Sequence, residues 1–118
     1  MSHLNHEVLD TLREALGDSD FFEVTNTFVQ QFERQLQALI QHAERRELSD
    51  CAGILHSLKG GAGNIGAQAL AETANAFEQQ AREEDCCILD TMIEALSNTT
   101  RATIDELRNS GYLGGIQS

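Results

Sequence analysis

Apolar residues recur at the three-and-four spacing of an α-helix in five successive runs along the 118-residue chain. Leu4, Val8, Leu9, Leu12, Ala15 and Leu16 predict a short first helix over 4–16, closed by Gly17. Asp18-Ser19-Asp20 follows, with Asp20 and Glu23 at capping-box spacing. The stripe Phe21, Val24, Phe28, Phe32, Leu36, Leu39, Ile40 and Ala43 then predicts a long second helix over 20–46. Glu47-Leu48-Ser49-Asp50 breaks the pattern. Cys51, Ile54, Leu55, Leu58, Ala62 and Ile65 predict a third helix over 49–64, stopped at Gly66. Ala67, Leu70, Ala71, Ala74, Phe77 and Ala81 predict a fourth over 67–83, whose small residues call for a close neighbour. After Glu83-Glu84-Asp85, the residues Leu89, Met92, Ile93, Leu96, Thr100, Ile104 and Leu107 predict a fifth over 86–109. The tail Gly111-Tyr112-Leu113-Gly114-Gly115 is expected to fray.

Tight connections imply antiparallel neighbours. The expected fold is all-α: an antiparallel up-down four-helix bundle, with an additional short N-terminal helix packed across one end. One domain is expected over 1–118, with its core over 4–109 and a flexible tail over 110–118.

Composition supports the helical reading. Proline and tryptophan are absent, aromatics are 5%, and the core must therefore be aliphatic. Eight Lys and Arg against nineteen Asp and Glu leave a formal charge of −11. That charge argues against nucleic-acid partners, which need cations to neutralise phosphates. It argues equally against an anionic membrane surface, and it disfavours self-association, so a monomer is expected. Cys51, Cys86 and Cys87 form no CxxC pair, so a disulfide framework or zinc site is not expected, and a reduced, cytoplasmic setting is. No apolar run approaches the ~18 residues of a membrane span.

The third helix carries the anomaly. Gly60, Gly61 and Gly63 lie within four positions of its last turns, at roughly 1 kcal/mol each relative to alanine. On a helical projection His56 points about 150° away from the apolar stripe. Ala52, Lys59, Gly60 and Gly63 share its face. The histidine is thus expected in solvent, on a shelf of small residues, with a lysine one turn away. Such a shelf lets another macromolecule bring a reactive group up to the imidazole, and it offers no deep pocket for a small molecule. The plainer reading is an ordinary surface histidine beside incidental glycines. Gly61 does not share the face, and the shelf leaves it unexplained.

Glu78 falls inside the apolar stripe of the fourth helix, where a carboxylate needs a partner. In a hairpin turning near Asn64-Ile65-Gly66 it reaches the level of His56. There it can accept the Nδ1 proton and leave Nε2 free; alternatively it reaches water, or pairs with Lys59 or Arg82. Arg82, one turn on, flanks the same surface. His3, His6 and His42 have no clustered acidic or thiol ligands at metal spacing. No P-loop, nucleophile elbow or dinucleotide fingerprint is present, and Ser57 has no base positioned for it.

The run His56-Ser57-Leu58-Lys59-Gly60, with Gly61-Ala62-Gly63-Asn64-Ile65-Gly66-Ala67 and Leu70, resembles the signature of histidine-containing phosphotransfer (HPt) domains of two-component phosphorelays. Phe21, Phe28 and Phe32 upstream and Phe77-Glu78 downstream extend the likeness along nearly the whole chain. Gly61 and Gly63 depart from it, since Ser or Ala is more usual there. The resemblance implies a solvent-exposed phosphorylated histidine, His56, reacting through Nε2. It implies that Lys59 stabilises the phosphoryl group, that Glu78 orients the histidine, and that Ala52, Gly60, Gly63 and Arg82 lie on the surface where a receiver docks.

The implied partners are response-regulator receiver domains and a hybrid sensor histidine kinase. The implied reaction passes a phosphoryl group from a receiver aspartate to His56 and on to another receiver aspartate. No cofactor is expected on this chain; Mg²⁺ and its acidic ligands belong to the receiver. The chain is then not an enzyme but a phosphotransfer module without turnover of its own. Two alternatives remain open: an HPt domain cut from a hybrid sensor kinase or a chemotaxis-type kinase, on the cytoplasmic side of the membrane, and a helical adaptor whose His56 is never phosphorylated.

Overall fold

The computed structural model describes residues 3–83 and 86–114. The five predicted helices are present: α1 (His6–Leu16), α2 (Asp18–Glu44), α3 (Leu48–Asn64), α4 (Gln68–Arg82) and α5 (Leu89–Asn109). No strand occurs among the described residues. Helices α2 to α5 form a closed ring in which each packs on its neighbours, with the α3–α4 pair the most extensive, and α1 lies against α2. The molecule measures 43 × 25 × 24 Å. Its long dimension is that of α2, whose 27 residues at about 1.5 Å each span the bundle.

The core is the predicted aliphatic one. Leu9, Leu39, Leu55, Leu58, Leu70, Leu96 and Leu107 are fully buried, with Phe21 and Phe32 from α2 and Met92 from α5. In α2 the stripe sits slightly rotated from expectation. Thr25 and Val29 are buried, while Val24 and Phe28 are only partly covered. Thr25 is accommodated because its hydroxyl donates to the Tyr112 carbonyl at 2.7 Å.

Helix ends explain the boundaries. At the end of α3, Gly66 has φ +74, Ala67 N–H donates to Ala62 O at 2.8 Å and Gly66 N–H to Gly63 O at 3.2 Å. This is a Schellman stop, and it reverses the chain into α4. Asn5 N–H donates to Gly66 O, and a Cβ on Gly66 would stand 2.9 Å from Asn5 O, so α1 is seated on this turn. The α2 helix ends the same way, but with Arg46 in the left-handed position at φ 59.

Three expectations need correction. The capping box does not form: α2 begins at Asp18 with Gly17 as N-cap and no side-chain cap. Asp18 instead accepts from Arg13 Nε at 2.8 Å, and this pair holds α1 to α2. The start of the fifth helix is a separate 3-10 turn over Cys86–Ile88, with α5 proper beginning at Leu89. The tail does not fray where it is described. Gly111, at φ +81, ends α5 in a third Schellman turn that folds Tyr112 and Leu113 back into burial. Tyr112 Oη donates to Asp10 at 2.8 Å, and Asn26 donates to the Leu113 carbonyl at 3.1 Å. Gly115 and the rest of the tail, with Glu84 and Asp85 of the fourth break, lie outside the described residues. Cys51 is buried and Cys87 exposed; the Cys86 side chain also lies outside what is described.

Candidate functional site

His56 projects from the middle of α3 with 65% of its side chain exposed. Its Nδ1 lies 3.1 Å from Glu78 Oε2. A carboxylate accepts and never donates, so this contact assigns a proton to Nδ1, and in the neutral ring the lone pair is then on Nε2. Glu78 comes from α4, brought to this height by the hairpin turn at Gly66.

Glu78 is the centre of the site. Its side chain is only 6% exposed, and three groups converge on it. Arg82, four residues on in α4, donates to Oε2 from Nε at 3.0 Å and from Nη2 at 2.7 Å. Lys59 places Nζ 2.8 Å from Oε1, an ion pair without the alignment of a directed hydrogen bond. The directed bond of Lys59 goes to Asn75 Oδ1 at 3.3 Å. The Lys59 ammonium first, and the Arg82 guanidinium next, hold the Glu78 carboxyl down at about 2, against the burial that pushes it up; His56 contributes least. The carboxylate is therefore charged at neutral pH. The alternatives left open for Glu78 are not exclusive: it meets His56, Lys59 and Arg82 at once.

Bare backbone surrounds the imidazole. A Cβ built on Gly53, Gly60 or Gly63 meets nothing within 4 Å. Gly53, three residues before His56, belongs to this clearing and is absent from the sequence-based set. Its signal was available, since i−3 shares a helical face as fully as i−4. Ala52 does not belong to it. At 3% exposure it is buried and cannot meet a partner. On the projection Ala52 falls on the same side of His56 as Lys59, the side that α4 covers, whereas Gly53 falls on the other. Asn75 is the second residue missed. Its spacing three before Glu78 was legible, but nothing in a sequence shows which way a lysine will swing. Gly61 faces the core side instead: a Cβ there would stand 3.4 Å from Phe28 and 3.7 Å from Phe32, ordinary van der Waals contact, so packing does not require the glycine.

The remaining histidines lie elsewhere. His3 and His6 meet Glu106 at the far side of α1, at 3.4 and 3.3 Å. His42 contacts Glu47 at 2.7 Å beyond the end of α2. Asp50 is near the same ring, at 3.8 Å, so these three could offer ligand atoms, although no metal site was expected.

Bundle and site together define a helical protein that displays a carboxylate-braced imidazole beside bare glycine backbone on an open surface. The chain belongs to the Hpt domain family, whose model matches residues 3–109. It is similar to the crystal structure of histidine-containing phosphotransfer protein B (HptB) from Pseudomonas aeruginosa PAO1. The TM-score is 0.86 at 25% identity, over 92% of this chain and 93% of that one. No curated protein matches the chain significantly. Family and fold make it a histidine phosphotransfer domain of the phosphorelay type. No helix among the described residues is long and apolar enough to cross a membrane.

Proposed function

We propose that His56 accepts a phosphoryl group from the aspartate of one receiver domain and passes it to the aspartate of another. The observation that carries this reading is the Glu78 brace: it commits the Nδ1 proton and leaves Nε2 as an exposed nucleophile on a glycine clearing. Neutral Nε2 attacks phosphorus in line, and the reverse attack by a second carboxylate regenerates the imidazole. Positioning and charge matching are sufficient for such a loose transition state. Lys59 offsets charge on the phosphoryl oxygens, and Glu78 orients the ring. Gly60, Gly63 and Gly53 admit the receiver, and Arg82 stands at its edge. The chain turns over no substrate of its own. Mg²⁺ sits on the receiver, the upstream donor is the receiver of a hybrid sensor kinase, and the exchange takes place in the cytoplasm between a monomer and its partners.

Incubation with a phosphorylated receiver tests this. Acid-labile, alkali-stable label is expected on the wild type and not on His56→Gln. Equal labelling of the two, or none on either, would sink the reading. Lys59→Ala should slow transfer at least tenfold, on the order of the loss of one charge-assisted contact, with the helical circular-dichroism signal retained.

A further inference from the structure

The position of Lys59 is at odds with a lysine waiting for a phosphoryl group. Its ammonium is occupied, 2.8 Å from Glu78 Oε1 and 3.3 Å from Asn75 Oδ1, and its side chain is only one-third exposed. Arg82 already neutralises the same carboxylate through Oε2. Glu78 thus holds two cations before any chemistry occurs, one on each oxygen. The charge count during transfer says what happens next. The Nε2 lone pair forms the N–P bond while the P–O bond to the receiver's aspartyl carboxylate breaks, its electron pair leaving with that carboxylate. The Nδ1 proton stays. A ring substituted at Nε2 and protonated at Nδ1 is a cation, and it arises 3.1 Å from Glu78 Oε2. At the same moment a phosphoryl dianion appears one helical turn from Lys59.

We propose that transfer onto His56 exchanges the cations on Glu78: the imidazole ring replaces Lys59, and Lys59 leaves Glu78 and Asn75 to pair with the phosphoryl group. Arg82 stays on Oε2 throughout, so the buried carboxylate is never left with fewer than two positive partners. Asn75 is then a positioning residue that holds Lys59 in the unphosphorylated state only. A contact made in one state and lost in the other sets the equilibrium between them. The Asn75 contact therefore favours return of the phosphoryl group to a receiver, and it tunes the relay toward passing the group on. This inference rests on the reading of His56 as the acceptor.

The test uses the whole ¹³C,¹⁵N-labelled chain with potassium phosphoramidate as donor, so that no receiver is needed. Imidazole ¹⁵N spectra report the N–P bond, while Asn75 ¹³Cγ and Lys59 ¹⁵Nζ report the holding contact. Phosphorylation should shift both reporters in the wild type, and the Asn75 shift should be largely absent in Lys59→Met. A phosphohistidine with both reporters unmoved overturns the exchange alone. A folded chain with no N–P bond at His56 removes the acceptor role, and the exchange with it. In a receiver equilibrium, Asn75→Ala should move the balance toward phosphohistidine by about two- to tenfold, the worth of one partly buried charge-assisted bond. It should move nothing in the Lys59→Met background. No shift in the wild-type background, a reversed one, or one that persists without Lys59 also overturns the exchange.

Discussion

Glu78 is charged in the wall of the bundle because Lys59 and Arg82 reach it, and that makes the site sensitive to acid. Its carboxyl is depressed to about 2 from an ordinary 4.5. A depressed carboxyl stabilises the fold fully above its unfolded value, and the contribution is lost as pH falls through the folded one. The Glu78 contribution should therefore be constant above about pH 5.5 and disappear between about 4.5 and 2. Glu78→Gln should lower stability at pH 7 by about 1–2 kcal/mol, since both cations are partly solvated. Urea titrations of the two proteins should converge below about pH 2; a constant gap down to that pH would remove the charge from the account. Glu78 could be placed from sequence because helical period and hairpin register fix which side chain faces His56. Its full set of partners could not, because the reach of Lys59 and Arg82 depends on side-chain torsions that no spacing encodes. Asn75 was missed for the same reason.

The glycines in and just after α3 separate into two functions at the scale of the element. Gly60 and Gly63 have helical backbone and open space around them, so alanine costs nothing sterically there. Each of Gly60→Ala and Gly63→Ala should stabilise the bundle by about 0.5–1 kcal/mol. If the clearing serves docking, the same variants should slow transfer from a phosphorylated receiver while leaving phosphorylation by phosphoramidate unchanged. Paired denaturation and transfer measurements check both halves; faster or unaltered receiver transfer would mean the clearing has another use. Gly66→Ala should do the opposite, destabilising by about 2–3 kcal/mol, because φ is +74 and the added Cβ meets Asn5 O at 2.9 Å. The stop at Gly66 was legible because a glycine after an apolar stripe is a strong helix signal. The capping box was misread because α2 begins two residues earlier, at Asp18, which places Asp20 inside the first turn rather than at its cap. Ala52 was misplaced because a projection of one helix does not say where its neighbour's edge falls.

At the scale of the whole molecule residues 3–5 and 112–113 close the bundle, and its net charge governs its encounters. The tail was expected to fray because glycines surround two apolar residues, and sequence alone does not show that Thr25 and Asn26 on α2 would catch their carbonyls. Tyr112 is held by Asp10 and His6, and burial first, then Asp10, raises its hydroxyl to about 12. A raised value means stability present below the ordinary 10 and lost as pH climbs toward 12. Tyr112→Phe should cost about 1 kcal/mol at neutral pH, and thermal melts should show its penalty shrinking in alkali. The charge of −11 sets the last expectation. On the proposed reading the partner is a receiver whose reacting site is itself acidic, so two negative surfaces would have to approach before Lys59 and Arg82 can act. Long-range repulsion is screened by salt while contacts at 3 Å are screened far less; raising ionic strength from about 0.01 to 0.15 M shortens the Debye length from about 30 to 8 Å. The second-order rate of phosphoryl transfer should therefore rise several-fold over that range, while the first-order rate within the saturated complex stays level. Rapid-quench transfer at several receiver concentrations separates the two rates. A second-order rate that falls with salt would mean that the cations beside Glu78 steer the partner from a distance, and Arg82→Gln should then abolish the dependence.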